Sequence, residues 1–134
     1  MREIKFSIIL QHQETGRFLE KKYTYSEIFN GKAKQEIDEL NIEDWFVIAK
    51  RLYVGLHDKN GKEVFDGDIC RVVNVHDGDE YIWNNIKQEG IPFQIKWDDK
   101  YKCFEFGGTM LYQPYNFEVI GNIYENPELL TNHK

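Results

Sequence analysis

A chain of 134 residues suits one domain, and its 41% hydrophobic and 15% aromatic content is ample for a packed core. The formal net charge of −6 works against nonspecific nucleic-acid binding, which rests on neutralising phosphates with Lys and Arg. No apolar run approaches the ~20 residues that span a bilayer, and MREIKFSIIL lacks the cleavage pattern of a secretory signal, so a soluble cytoplasmic protein with no membrane partner is expected.

The first elements read as a hairpin. Ile4, Phe6, Ile8 and Leu10 alternate with other residues as a half-buried strand does, Glu14-Thr15-Gly16-Arg17 turns the chain, and Phe18 to Tyr25 returns. From Ser26 the period changes. Ser26 is placed to cap a short helix ended by Asn30-Gly31, and Lys32 to Leu40 has good helix formers with Ile37 and Leu40 on one face. Both helices are polar, so they are expected to lie on the sheet as an insertion and not to serve as core elements. Trp45 to Leu56 returns to strand character with apolar residues on both faces, which predicts burial on both sides, under the helices or against a partner chain.

Tyr53 to Val75 is the most informative stretch. Asn60-Gly61 between apolar flanks (Tyr53, Val54 and Leu56 before, Val64 and Phe65 after) predicts a hairpin with a tight two-residue turn and positive φ at both central positions. Asp66-Gly67-Asp68 is a second break, in which Asp66 or Asp68 can bond nearby backbone N–H groups. Ile69 to Val75 is rich in β-branched residues and reads as a buried strand. Three strands and two turns so close together imply a compact meander or a barrel wall.

Further on, His76 to Glu80 is an acidic loop, and Phe93, Ile95 and Trp97 alternate with polar residues as a strand with one wet face. Asp98-Asp99-Lys100 turns the chain into Tyr101 to Phe106. Phe117 to Tyr124 forms a last strand, and Pro127 suits the start of a short helix that docks through Leu129 and Leu130. Cys70 and Cys103 both fall in strands. Reduced, buried thiols are the expected state, with a disulfide only if the strands bring them together.

The segment GLHDKNGKEVFDGDICRV, with Gly55, Asp58, Asn60, Gly61, Gly67 and Asp68 as its turn signature, resembles the central pattern of the YopX family. These are small proteins found mainly in phages and prophages of Gram-positive bacteria. MREIKF at Met1 to Phe6 and FEVIGNIYENPELL at Phe117 to Leu130 are similar to the family's opening and ending. Intervals 7–44 and 76–116 match poorly, and Val54 stands where Thr is common. The resemblance implies a predominantly β fold, phage association and self-assembly, and no reaction.

Chemistry-bearing residues offer little beyond this. His57-Asp58 and His76-Asp77-x-Asp79 set imidazole beside carboxylate, but no HxH or CxxC spacing accompanies them, so no metal or other cofactor is expected. Asp66, Asp68, Asp98 and Asp99 sit where turn chemistry accounts for them. No serine has a nucleophile-elbow context, and Gly107-Gly108 lacks the rest of a phosphate loop. The aromatic load is the one excess: Tyr81, Trp83, Tyr101, Tyr112 and Tyr115, with Lys100 among them, form a candidate interaction surface.

The fold class expected is mainly β (α+β), a small SH3-like barrel-type domain over 45–134 with the N-terminal hairpin and helical insertion (1–44) beside it. The function expected is that of a noncatalytic accessory protein acting in the bacterial host through protein–protein contacts, as a homo-oligomer or with a phage or host protein. A small-barrel binder of single-stranded nucleic acid, stacking bases on Trp83 and Tyr101 beside basic residues, is the alternative. A metal-dependent hydrolase using His76 with Asp77 or Asp79 ranks behind both.

Overall fold

The computed structural model describes residues 4–72, 92–98, 100, 103–106, 109–110 and 117–131. It divides into two compact units, Met1–Tyr53 and Val54–Lys134. The junction falls inside a strand, where the sequence suggests a boundary ahead of Trp45.

In the first unit, β1 (Lys5–His12) and β2 (Phe18–Thr24) form the expected hairpin, antiparallel in register from Lys5↔Thr24 to Gln11↔Phe18. The His12 N–H donates to the Arg17 carbonyl, and the His12 Nδ1 accepts from the Glu14 and Thr15 amides, which holds the turn. Two helices follow, α1 (Tyr25–Phe29) and α2 (Lys32–Ile42). The cap of α1 is Thr24, two residues before the expected Ser26. Thr24 and Glu27 make a reciprocal capping box, in which the Thr24 hydroxyl accepts from the Glu27 amide and the Glu27 carboxylate accepts from the Thr24 amide. A pair three residues apart satisfies two orphan amides, which Ser26 alone could not do.

The strand β3 (Trp45–His57) completes this sheet, antiparallel to β1 from Phe6↔Leu52 to His12↔Trp45. Alternation along β1 turns Ile8 and Leu10 toward α2, where they form a cluster with Tyr23 and Ala33. Ile37, Leu40 and Trp45 pack against that cluster, so α2 does serve the core, contrary to the reading of its polar composition. A small buried Ala33 lets the helix approach closely, and two apolar residues suffice to seal one face. Burial of β3 on both faces is not observed along its first half. Phe46, Val47 and Ile48 are 44%, 38% and 41% exposed, so consecutive residues lie open on both faces, and a bulge between Ile9 and Leu10 leaves Ile48 without an opposite residue.

The second unit begins with the end of β3, which pairs with β4 (Glu63–Phe65) in a hairpin, giving the strand order β2-β1-β3-β4. The remaining strands are β5 (Asp68–Val72), β6 (Phe93–Asp98), β7 (Cys103–Phe106), β8 (Thr109–Met110) and β9 (Phe117–Asn122). They form an antiparallel sheet ordered β8-β7-β6-β5-β9, and a helical turn at Glu128–Thr131 follows. The compact meander expected over 53–75 is therefore split. At Asp66-Gly67 the chain leaves the sheet of β4 and enters that of β5, which finds its neighbours in β6 and in the distant β9. Among the described residues, Val54, Val64, Phe65, Ile69, Cys70, Ile95 and Phe117 are the buried apolar residues of this unit.

As described, both sheets are open, and neither closes into a barrel. Cys70 lies opposite Phe93 at one end of β6 and Cys103 opposite Asp98 at the other. At about 3.4 Å per residue, that places the two backbones far beyond the ~6 Å a disulfide spans. Burial, followed by the nearby Asp68 and Asp58 charges, pushes the Cys70 thiol well above its ordinary range.

Candidate functional site

The residues of the turn signature do converge, and what they bind is backbone. The Asp58 carbonyl accepts from the Gly61 amide at 3.0 Å, and the Asp58 amide donates to the Lys62 carbonyl at 2.8 Å. This is a three-residue loop (Lys59, Asn60, Gly61), not the two-residue turn that the Asn-Gly pair predicts. Only Gly61 takes positive φ, 81°, and among the described non-glycine residues only Asp44 has a positive value. The reason lies in Asp58. Its Oδ1 accepts from the Asn60 amide at 2.8 Å and the Lys62 amide at 2.9 Å, which stabilises an ordinary turn conformation at Asn60 and leaves Gly61 to form the bulge.

The other carboxylate oxygen reaches a strand of the other sheet. Asp58 Oδ2 accepts from the Val119 amide of β9 at 2.9 Å, and the Lys59 amide donates to the Phe117 carbonyl at 2.9 Å. Burial by itself would push the Asp58 carboxyl up. The Val119, Lys62 and Asn60 N–H groups outweigh that, with help from the Lys62 charge, and hold it below the usual carboxylate range. Outside this pin, Glu118 accepts from Arg71 at 2.6 Å and lies 3.8 Å from the Lys59 ammonium.

Asp68 plays the matching part at the second turn, where its Oδ2 accepts from the Phe65 amide at 2.8 Å. Gly67, at φ 89°, donates its N–H to the Ile95 carbonyl of β6 and accepts from the Ile123 amide beyond β9. The turn therefore ties together β4, β5, β6 and the chain after β9. Gly55 has φ 96° within β3 itself.

Two residues that the sequence reading passed over belong to the same assembly. Asn122, 7% exposed, accepts from the Tyr124 and Glu125 amides and donates to the Glu125 carboxylate. Asn126 in turn accepts from the Asn122 amide, and a Cβ on Gly121 would lie 2.6 Å from its Oδ1. The Gly-Asn-x-x-x-Asn spacing in FEVIGNIYENPELL was the available signal.

The first unit holds a polar cluster that no motif announced. Ser7 and Arg51, both buried, meet Glu20 on one face of the sheet. The Ser7 hydroxyl donates to Glu20, and Arg51 Nη2 donates to Ser7 at 3.1 Å and to Glu20 at 2.8 Å. Burial would raise the Glu20 carboxyl, but the Ser7 hydrogen bond and the Arg51 and Lys22 charges bring it below its ordinary value.

Of the candidate interaction surface, Tyr81, Trp83, Tyr101, Tyr112 and Tyr115 lie outside the described residues, as do His76, Asp77 and Asp79. Lys100 is described and exposed, at the turn between β6 and β7. Among the described residues no three His, Cys, Asp or Glu side chains gather as a metal site would require. Nor is any described helix long and apolar enough to cross a membrane.

These features define a mainly β protein organised around a carboxylate-pinned hairpin. The family model of the YopX protein matches residues 7–131, and the chain belongs to the YopX family. The match takes in the turn signature and the FEVIGNIYENPELL ending, and begins one residue after the MREIKF opening. Among solved structures, protein EF1440 from Enterococcus faecalis is similar at 24% identity and a TM-score of 0.42, covering 92% of this chain and 74% of that one. No curated protein matches the chain.

Proposed function

We propose that the protein is a noncatalytic, phage- or prophage-associated accessory protein of the host cytoplasm that works through protein–protein contacts and assembles with copies of itself. The observation that supports this reading is the apolar surface of the first unit. Phe29 and Ile42 are 81% and 83% exposed, Tyr25 stacks on Phe29, and Phe46, Val47 and Ile48 lie open on β3. Exposed large apolar side chains become interaction sites where they gather into a patch. The signature residues support it from the other side, since the carboxylates of Asp58 and Asp68 are engaged by backbone amides. An SH3-like closure of the second sheet belongs to this proposal and not to the described strands.

Size-exclusion chromatography with light scattering tests it: a defined oligomer free of nucleic acid is the expected result, and a monomer at high concentration would overturn it. The nucleic-acid reading gains no support from the described residues, because Trp83 and Tyr101 lie outside them. Salt-sensitive quenching of tryptophan fluorescence by oligonucleotides would restore it.

A further inference from the structure

The sequence contains two Asn-Gly pairs, Asn30-Gly31 and Asn60-Gly61. Both asparagines are exposed, and a Cβ on either glycine would meet nothing within 4 Å. Glycine after asparagine lets the next amide nitrogen approach the side-chain Cγ with no side chain in the way. The structure nevertheless separates the two pairs. Asn30 closes α1 with ψ at 0°, donates its N–H to the Ser26 carbonyl at 2.9 Å, and its Oδ1 accepts from the Lys32 amide at 2.9 Å. At Asn60 only the backbone is held. Its amide donates to Asp58 Oδ1 at 2.8 Å, and among the described residues nothing bonds its carboxamide. Asn60 also stands in an exposed run from Lys59 to Lys62, whose two positive charges favour the anionic nitrogen that cyclisation needs.

We propose that Asn60 is a site of self-modification, where its carboxamide condenses with the Gly61 nitrogen and hydrolysis leaves an isoaspartate that releases the Asp58 pin from β9. In the first step the bond from the Gly61 nitrogen to Asn60 Cγ forms, the Cγ–Nδ2 bond breaks, and the Gly61 proton leaves with ammonia. Water then opens the succinimide at either carbonyl, giving aspartate or isoaspartate. The gate is the Gly61 N–H, which donates to the Asp58 carbonyl at 3.0 Å and must let go before the nitrogen attacks. Opening of an exposed loop of this kind is a local event that leaves the rest of the fold in place. The isoaspartyl linkage routes the main chain through Cβ and adds a methylene inside the three-residue loop. Asp58 Oδ1 binds the Asn60 and Lys62 amides, one on each side of that insertion, while Oδ2 binds the Val119 amide. The lengthened loop cannot keep all three bonds. Ordinary aspartate leaves the main chain unchanged and keeps them.

The test ages the folded full chain, warm and at mildly alkaline pH, and maps the amide-to-acid mass shift by digestion and mass spectrometry. Asn60 is expected to convert at least about tenfold faster than Asn30, with isoaspartate among the products. Asn60→Gln, whose longer side chain cyclises far more slowly, should end the shift at that position. The aged forms, which carry an added negative charge, are then separated by ion exchange and compared by amide hydrogen exchange. The isoaspartyl form should exchange Val119 faster than the parent, and the aspartyl form should match the parent. No conversion at Asn60 overturns the site. Equal rates at Asn30 and Asn60 would mean that only the unfolded chain reacts, and overturn it too. A Val119 amide as slow in the isoaspartyl form as in the parent overturns the release of the pin.

Discussion

The two units spend their buried polar groups differently. In the second, Asp58 and Asp68 bind backbone amides, mostly two to four residues away, and fix the shape of turns. In the first, Ser7, Glu20 and Arg51 bind one another across three strands, with 13 to 44 residues between partners. Local side-chain-to-backbone bonds impose residue type at fixed spacing and so leave a motif. Long-range side-chain pairs leave none. The family signature marks the first kind of chemistry, and its spacing reflects backbone geometry.

That contrast can be broken by mutation. The largest effect is expected from Asp58→Ala, which strips acceptors from three amides at once. Two of them, Asn60 and Lys62, can turn to water, but Val119 sits within a sheet, so the loss should be about 3 kcal/mol by chemical denaturation. A loss below ~0.5 kcal/mol would show that the pin is incidental. Glu20→Ala comes next. It removes the carboxylate from a buried guanidinium, and because the Glu20 side chain keeps 29% of its exposure the cost should be about 2 kcal/mol, less than for a fully buried pair. Both carboxyls are held below their ordinary values in the folded state. Their contribution is therefore complete at neutral pH and fades as pH falls through the usual carboxylate range toward the folded values. Denaturation midpoints of the parent should drop over that interval, and the drop should shrink in either variant. Gly61→Val is the smallest of the three. Nothing lies within 4 Å of a Cβ there, so its cost is the strain of a β-branched residue at φ 81°, about 1–2 kcal/mol in thermal or chemical unfolding.

Much of the architecture was legible from patterning. The hairpin from β1 to β2, the two helices, the position of β3 and the alternating β6 all follow from period and turn residues. The loop at Asn60-Gly61 was located correctly but given the wrong form, since the deciding interaction is the Asp58 side chain and not the intrinsic preference of Asn-Gly. The division of 53–75 between two sheets was not legible, because β5 is claimed by β9, some fifty residues on, and local periodicity says nothing about which distant strand will pair. The exposure of Phe46 to Ile48 was hidden for a related reason: an apolar run reads as burial on both faces, and whether another element covers it is decided by tertiary packing that strand periodicity does not encode. Asn122 and Asn126 were legible through their spacing as turn residues at the end of the last strand, but which amides their side chains bind depends on the backbone path of the turn.

The central claim is that Asp58 is a structural pin between the hairpin and β9. Amide hydrogen exchange of Val119 tests it most directly. In the parent protein this amide should exchange slowly, and Asp58→Ala should accelerate it selectively relative to amides of β1, which belongs to the other unit. Equal exchange at Val119 in the two proteins, or acceleration spread evenly over the chain, would contradict the account.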